Sequence, residues 1–193
     1  MQSIPGIGGR GYSSPMPIDR ARTARGALAG AIAAGAWSAQ AQLDMRAFGV
    51  DYSDEMLLGK AVTRGPAWPA IGFALHLLNG AAFGAAYANV APRLPLPSWA
   101  RGPVLAMIEH LSTWPMTVAV DRVHPARDDL PVLWGNNRAF AQATWRHLLF
   151  GIVLGELERR FNAPDDTGVP PYEHIASSNG HGDIEHAVGA SET

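Results

Sequence analysis

Two histidines open matching nine-residue stretches, His76-Leu77-Leu78-Asn79-Gly80-Ala81-Ala82-Phe83-Gly84 and His147-Leu148-Leu149-Phe150-Gly151-Ile152-Val153-Leu154-Gly155. On a helix the histidine and the two glycines, at i, i+4 and i+8, make one smooth stripe headed by a single imidazole. An imidazole can hold a proton near neutral pH or ligate a metal. The apolar stretches of the chain contain more polar groups, so the candidate cluster is His76, Asn79, Glu109, His110, Gln142, Arg146 and His147.

Three chemistries fit these residue types. The leading one is structural: Glu109 and Arg146 fall near the centres of two apolar segments and can neutralise each other, while His and Asn side chains bond to neighbours. The second is a proton or ion path lined by His76, Glu109 and His147. The third is a b-type haem ligated by His76 and His147, with glycines making room for the porphyrin edge. A metal site of Glu109 with His76, His110 or His147 lacks the Glu-x-x-His spacing of di-iron bundles, so no metal is assigned. His174, His181 and His186 are widely spaced in a polar stretch and suggest no site.

Catalytic signatures are missing. Gly6 to Gly11 does not continue into the Lys-Ser/Thr of a phosphate loop. Neither G-x-S-x-G nor H-E-x-x-H occurs, and Ser112 and Thr113 near His110 have no orienting acid. The chain has no cysteine, which excludes disulfides and thiolate metal sites. Its net charge of −2, with basic residues scattered among acids, argues against a nucleic-acid partner.

Four apolar segments must position the cluster. Gly26 to Leu43 gives 18 consecutive uncharged residues, about the length needed to cross a bilayer core. Gly65 to Pro92 gives 28 without a formal charge, with Trp68 and Tyr87 where interfacial aromatics belong and Pro69 suited to a first helical turn. The third segment is broken by Glu109-His110 and Pro115, the fourth by Arg146-His147. A soluble bundle would need a charged outward face on each helix, and the first two segments have none. The expected fold is therefore all-α: a four-helix transmembrane bundle with spans at about 26–46, 68–91, 102–121 and 138–158. A flexible arm over 1–25, a short surface helix around Asp54 to Lys60, and a disordered polar tail over 159–193 complete it. An alternative for the first segment is a signal peptide, with Ala39-Gln40-Ala41 as the cleavage site.

Helices in lipid associate by close approach of small residues, so Gly30, Gly72, Gly80, Gly84, Gly151 and Gly155 are expected to pack the bundle or an oligomer. The repeated histidine motif lies at an offset of 71 residues. A weaker pair, Trp37 before Asp44 and Trp114 before Asp121, lies at an offset of 77. Together they suggest two pseudo-repeated helical hairpins related by an axis along the membrane normal. Eight Lys and Arg residues then fall on the side of the termini and six in the other two loops, which favours cytoplasmic termini.

Gly26-x3-Gly30 in a first helix, His76-Leu77-Leu78-x-Gly80-x3-Gly84 in a second and a hairpin repeating the pattern resemble small, uncharacterised four-helix bacterial membrane proteins. The resemblance implies a fold and a place, the bacterial inner membrane. It implies no catalytic residues. The expected function is accordingly a structural, assembly or accessory role in the bilayer, with a homo-oligomer or a membrane protein as partner; the alternatives are a proton- or ion-coupled carrier and a haem electron-transfer bundle.

Overall fold

A computed structural model describes residues 18–163, all of whose regular structure is helical. The helices are α1 (Arg20–Phe48), α2 (Asp54–Val62), α3 (Trp68–Val90), α4 (Ser98–Thr113), α5 (Thr117–Val123) and α6 (Asn137–Phe161), with 3-10 turns at Ala91–Arg93, Trp114–Met116 and Arg127–Asp129. Most of the expected arm and tail lies outside the described residues. One stretch, Trp68–Arg93, is long and apolar enough to cross a membrane.

Local chemistry sets the boundaries. The Asp19 carboxylate accepts from the Arg22 backbone N–H at 3.1 Å and starts α1, so Arg20 to Arg25 are helical rather than part of a flexible arm. Counting uncharged residues had located the apolar stretch but not this polar first turn. Gly49, with φ +67°, ends the helix and returns its N–H to the Met45 carbonyl. Ser53 caps α2 through the Met56 N–H, and Asp54 and Glu55 occupy its positive end. Asn136 caps α6, which runs on to Phe161, beyond the expected limit of 158. The expected third span is not one helix: Pro115 lacks an amide proton, and the chain tightens into a 3-10 turn between α4 and α5.

The helices pack in the order α2, α3, α1, α6, α4. Glycine lines the seams between α1 and α3 and between α4 and α6. A Cβ on Gly30 or Gly84 would run into the facing backbone of α3 or α1, and one on Gly102 would strike the Gly151 carbonyl of α6. Gly80 and Gly155 sit in these same seams, as expected, but Gly72 serves a different contact, facing the Glu55 carbonyl of α2. The ends of α1 and α6 are joined by an Arg22–Glu158 ion pair, while Arg22 Nε also donates to the Ala88 carbonyl of α3 at 2.7 Å. The largest core cluster contains Ala29, Ala33, Trp37, Tyr87, Phe150 and Leu154.

Asp121 anchors the end of the connection from α5 to α6. Asp121 accepts from the backbone N–H groups of Leu133 (2.9 Å) and Trp134 (2.8 Å), fixing Leu133 in a second cluster with Val50, Tyr52 and Ala139. Asp121→Ala should lower stability by about 1–3 kcal/mol, because it leaves these donors without their acceptor. Asp121→Asn, which keeps one acceptor, should lose less. Thermal unfolding of the three proteins checks the order.

Candidate functional site

A half-open cavity of about 410 Å³ lies where all six helices converge. Trp37 of α1, Asp54 of α2, His76 and Phe83 of α3, Glu109 and His110 of α4, and His147 and Phe150 of α6 contribute to its wall. Trp114 of the 3-10 turn, Thr117 of α5 and His124 close the far side. Every helix brings a residue here because the glycine seams draw the backbones together on either side, leaving the larger side chains to meet.

Hydrogen bonds assign the tautomers of three histidines. The Thr144 hydroxyl donates to the Phe140 carbonyl at 2.8 Å, so it must accept from His110 Nε2–H at 3.0 Å, leaving a lone pair on His110 Nδ1. His124 Nε2–H donates to the Leu57 carbonyl and its Nδ1 accepts from the Ala126 N–H; this ring is fully satisfied and ties the turn to α2. His147 differs. Its Nδ1–H donates to the Ala143 carbonyl at 2.7 Å and its Nε2 lies 2.9 Å from a Glu109 carboxylate oxygen. Two acceptors on one imidazole mean that a proton is held between His147 Nε2 and Glu109 Oε2, as an imidazolium beside a carboxylate or as a neutral pair.

Other groups in the wall lack partners. Trp37 Nε1, His76 Nε2 and Asp54 Oδ2 are buried atoms with no hydrogen bond, although Trp37 and His76 are only 6% and 5% exposed. The Trp37 ring packs edge-on against both His76 and His147, at centroid distances of 5.2 and 4.8 Å, and His147 lies 4.5 Å from His110. Unpartnered polar atoms around an open volume are what a bound molecule would satisfy.

A second polar cluster lies beside the cavity, centred on Asp44, with Gln142 Oε1 and Arg146 Nη1 its atoms without a hydrogen bond. Asp44 accepts from Arg146 Nε and Nη2, both at 2.6 Å, from Gln142 Nε2 at 2.7 Å and from Gln40 Nε2 at 2.6 Å. Arg146 Nη2 also donates to the Tyr52 carbonyl, and the guanidinium carbon stands 4.8 Å from the Tyr52 ring centroid. Its remaining nitrogen, Nη1, is 3.9 Å from Asp54. Burial, then the negative charge of Asp54, push the Tyr52 phenol above its ordinary range, so it remains protonated.

The expected Glu109–Arg146 pair is therefore corrected. Arg146 pairs with Asp44 on α1, and Glu109 pairs with His147. Consecutive residues on a helix point about 100° apart. His147 consequently meets α4 while Arg146 meets α1. Of the seven candidate residues, His76, Glu109, His110 and His147 meet at the cavity, Asn79 is an exposed member of its lining, and Gln142 and Arg146 belong to the Asp44 cluster. Sequence reasoning missed Trp37, Asp54 and His124 as wall residues and Asp44 as the partner of Arg146. Trp37 and Asp44 carried one signal, their offset repetition as Trp114 and Asp121. Among the described residues no group of three or more His, Asp or Glu is arranged to hold a metal ion; His174, His181 and His186 lie outside them. The chain matches no family model, no curated protein and no solved structure.

Proposed function

We propose that this chain is a four-span integral membrane protein that binds a small molecule inside its bundle and couples that binding to the proton held by His147 and Glu109, as a proton-coupled carrier does. The observation that carries the reading is the cavity, which combines a shared proton with three unpartnered polar atoms in a volume within the usual ligand range of roughly 300–1,000 Å³. The structural role anticipated for the polar residues falls to Asp44, Gln142 and Arg146. His76, Glu109, His110 and His147 are left for binding.

Polarity supports the membrane setting. Large apolar side chains face outward on the four long helices: Leu28 and Ile32, Phe73 and Leu78, Ile108 and Leu111, Ile152. Asp44, His76, His110, Gln142 and Arg146 are buried instead. Only 28% of the most apolar window of α3 is buried, unlike the core helix of a water-soluble bundle. The uncharged part of α1 covers about 27 Å at 1.5 Å per residue, close to a hydrocarbon core of about 30 Å. The glycine seams support reading α1–α3 and α4–α6 as repeated hairpins, and the excess of Lys and Arg on the side of the termini favours placing these in the cytoplasm of a bacterial cell. The bis-histidine haem has less support, since His147 has both ring nitrogens engaged and the Trp37 indole packs against both histidines.

Two measurements test the reading. After alkaline carbonate extraction the chain should stay with the membrane pellet, and release into the supernatant would overturn the four-span arrangement. In dye-loaded proteoliposomes given an acid pulse, proton entry should exceed that of protein-free vesicles. Glu109→Gln should return it to that background, and undiminished entry in this variant would rule out the coupling role.

A further inference from the structure

Resting on the reading of the cavity as a binding site, we propose that its ligand is a small organic ammonium ion whose entry displaces the proton shared by His147 and Glu109. Charge is the first argument. Asp54 and Glu109 are the carboxylates of the wall; the nearest guanidinium, Arg146, makes two hydrogen bonds to Asp44 and reaches Asp54 only at 3.9 Å, so one cation is shared between two carboxylates and none faces Glu109. Once the shared proton leaves, the wall is negative. A carboxylate or phosphate ligand would face two like charges; a cation restores the balance that the proton had provided.

Hydrogen-bonding capacity points the same way. Asp54 Oδ2 accepts no hydrogen bond, its ion-pair partner Arg146 Nη1 standing 3.9 Å away, His110 Nδ1 has a free lone pair, and Glu109 regains an acceptor when its proton is lost. An ammonium N–H satisfies such acceptors, whereas an anion brings more acceptors to a wall that already has several. Trp37, Phe83, Trp114 and Phe150 supply aromatic surface, and the electron-rich face of an aromatic ring attracts a cation. The exchange balances: one R-NH3+ enters, one H+ leaves, no covalent bond to carbon changes and no electron is transferred.

The groups that face the His147–Glu109 pair come from every neighbouring element: His110 on α4, Asp54 on α2, His76 on α3, His124 on the turn before α6, and on α1 only Asp44, which is held by Arg146. None supplies a free positive charge able to replace the proton while these histidines are neutral. Binding should therefore tighten as pH rises.

The test uses the full-length protein in detergent, titrated with phenethylammonium and followed by tryptophan fluorescence, with 2-phenylethanol and 3-phenylpropionate as neutral and anionic analogues. The ammonium should bind at least about tenfold more tightly than either analogue at pH 7. Its affinity should rise between about pH 5 and 8, where an alkylammonium stays charged, and a pH indicator should record proton release on binding. Asp54→Asn should weaken ammonium binding about tenfold and leave the alcohol unchanged. If that variant unfolds, Trp114→Leu serves instead, with the same preferential loss for the cation. Glu109→Gln should abolish proton release. Equal binding of all three probes would overturn the cation assignment and keep the binding site; no binding of any probe to folded protein would overturn both. Tight ammonium binding without proton release would refute the exchange.

Discussion

Arg146→Met is expected to destabilise the protein by about 3–5 kcal/mol, the cost of leaving a buried charge without its partner. Asp44 is 2% exposed and Arg146 0%, so water cannot take over from the lost guanidinium. Asp44→Asn should be nearly as harmful, since the amide keeps one acceptor but removes the negative charge, leaving Asp54 at 3.9 Å as the nearest carboxylate of the buried guanidinium. Removing both charges is the informative step. The double variant Asp44→Leu with Arg146→Met should recover much of the loss, because a buried ion pair contributes little over apolar packing once neither charge remains. Recovery will be incomplete, as Gln40 and Gln142 lose the acceptor they share. Chemical unfolding in detergent gives the coupling energy from the four proteins. Additive single effects would show that Asp44 and Arg146 do not act as a pair.

Gly30→Ala should cost about 3 kcal/mol, at the upper end of the usual range for overpacking, because the obstruction is backbone. Its Cβ would overlap the Gly80 carbonyl, and no rotamer change can relieve that. The helices α1 and α3 would have to separate, drawing Trp37 away from His76 and disturbing the cavity wall. Gly35 provides the control. A Cβ there has Leu77 Cδ2 at 3.9 Å as its nearest obstacle, an ordinary contact. Gly35→Ala should be neutral or stabilising by up to about 1 kcal/mol, the intrinsic helix preference of alanine over glycine. Melting temperatures of the two variants separate seam packing from a general intolerance of alanine. Equal losses at both positions would contradict the seam.

Much of the scaffold could be read in advance. Uncharged stretches longer than 17 residues mark helices without any tertiary information. Glycines at i+4 intervals identify faces that need close neighbours, and Gly30, Gly80, Gly84, Gly151 and Gly155 lie in interhelical seams. The short helix expected around Asp54 to Lys60 forms as α2. The break at Trp114–Met116 was signalled by Pro115, but the sequence did not reveal that the turn would carry Trp114 into the cavity wall.

The chain by itself therefore determined which segments are helical, which faces are small enough to pack, and that ionisable groups would lie in apolar surroundings. These properties depend on composition and on the 3.6-residue period. The partners of those groups were decided only by the tertiary structure. Rotation of α6 about its axis determines whether Arg146 or His147 faces Glu109, and a one-residue difference turns the side chain by about 100°. Asp44 follows the uncharged stretch of α1, and only the packing of α1 against α6 brings it onto Arg146. His147 was then left to Glu109, and that choice of partners makes the cavity a place that holds a proton.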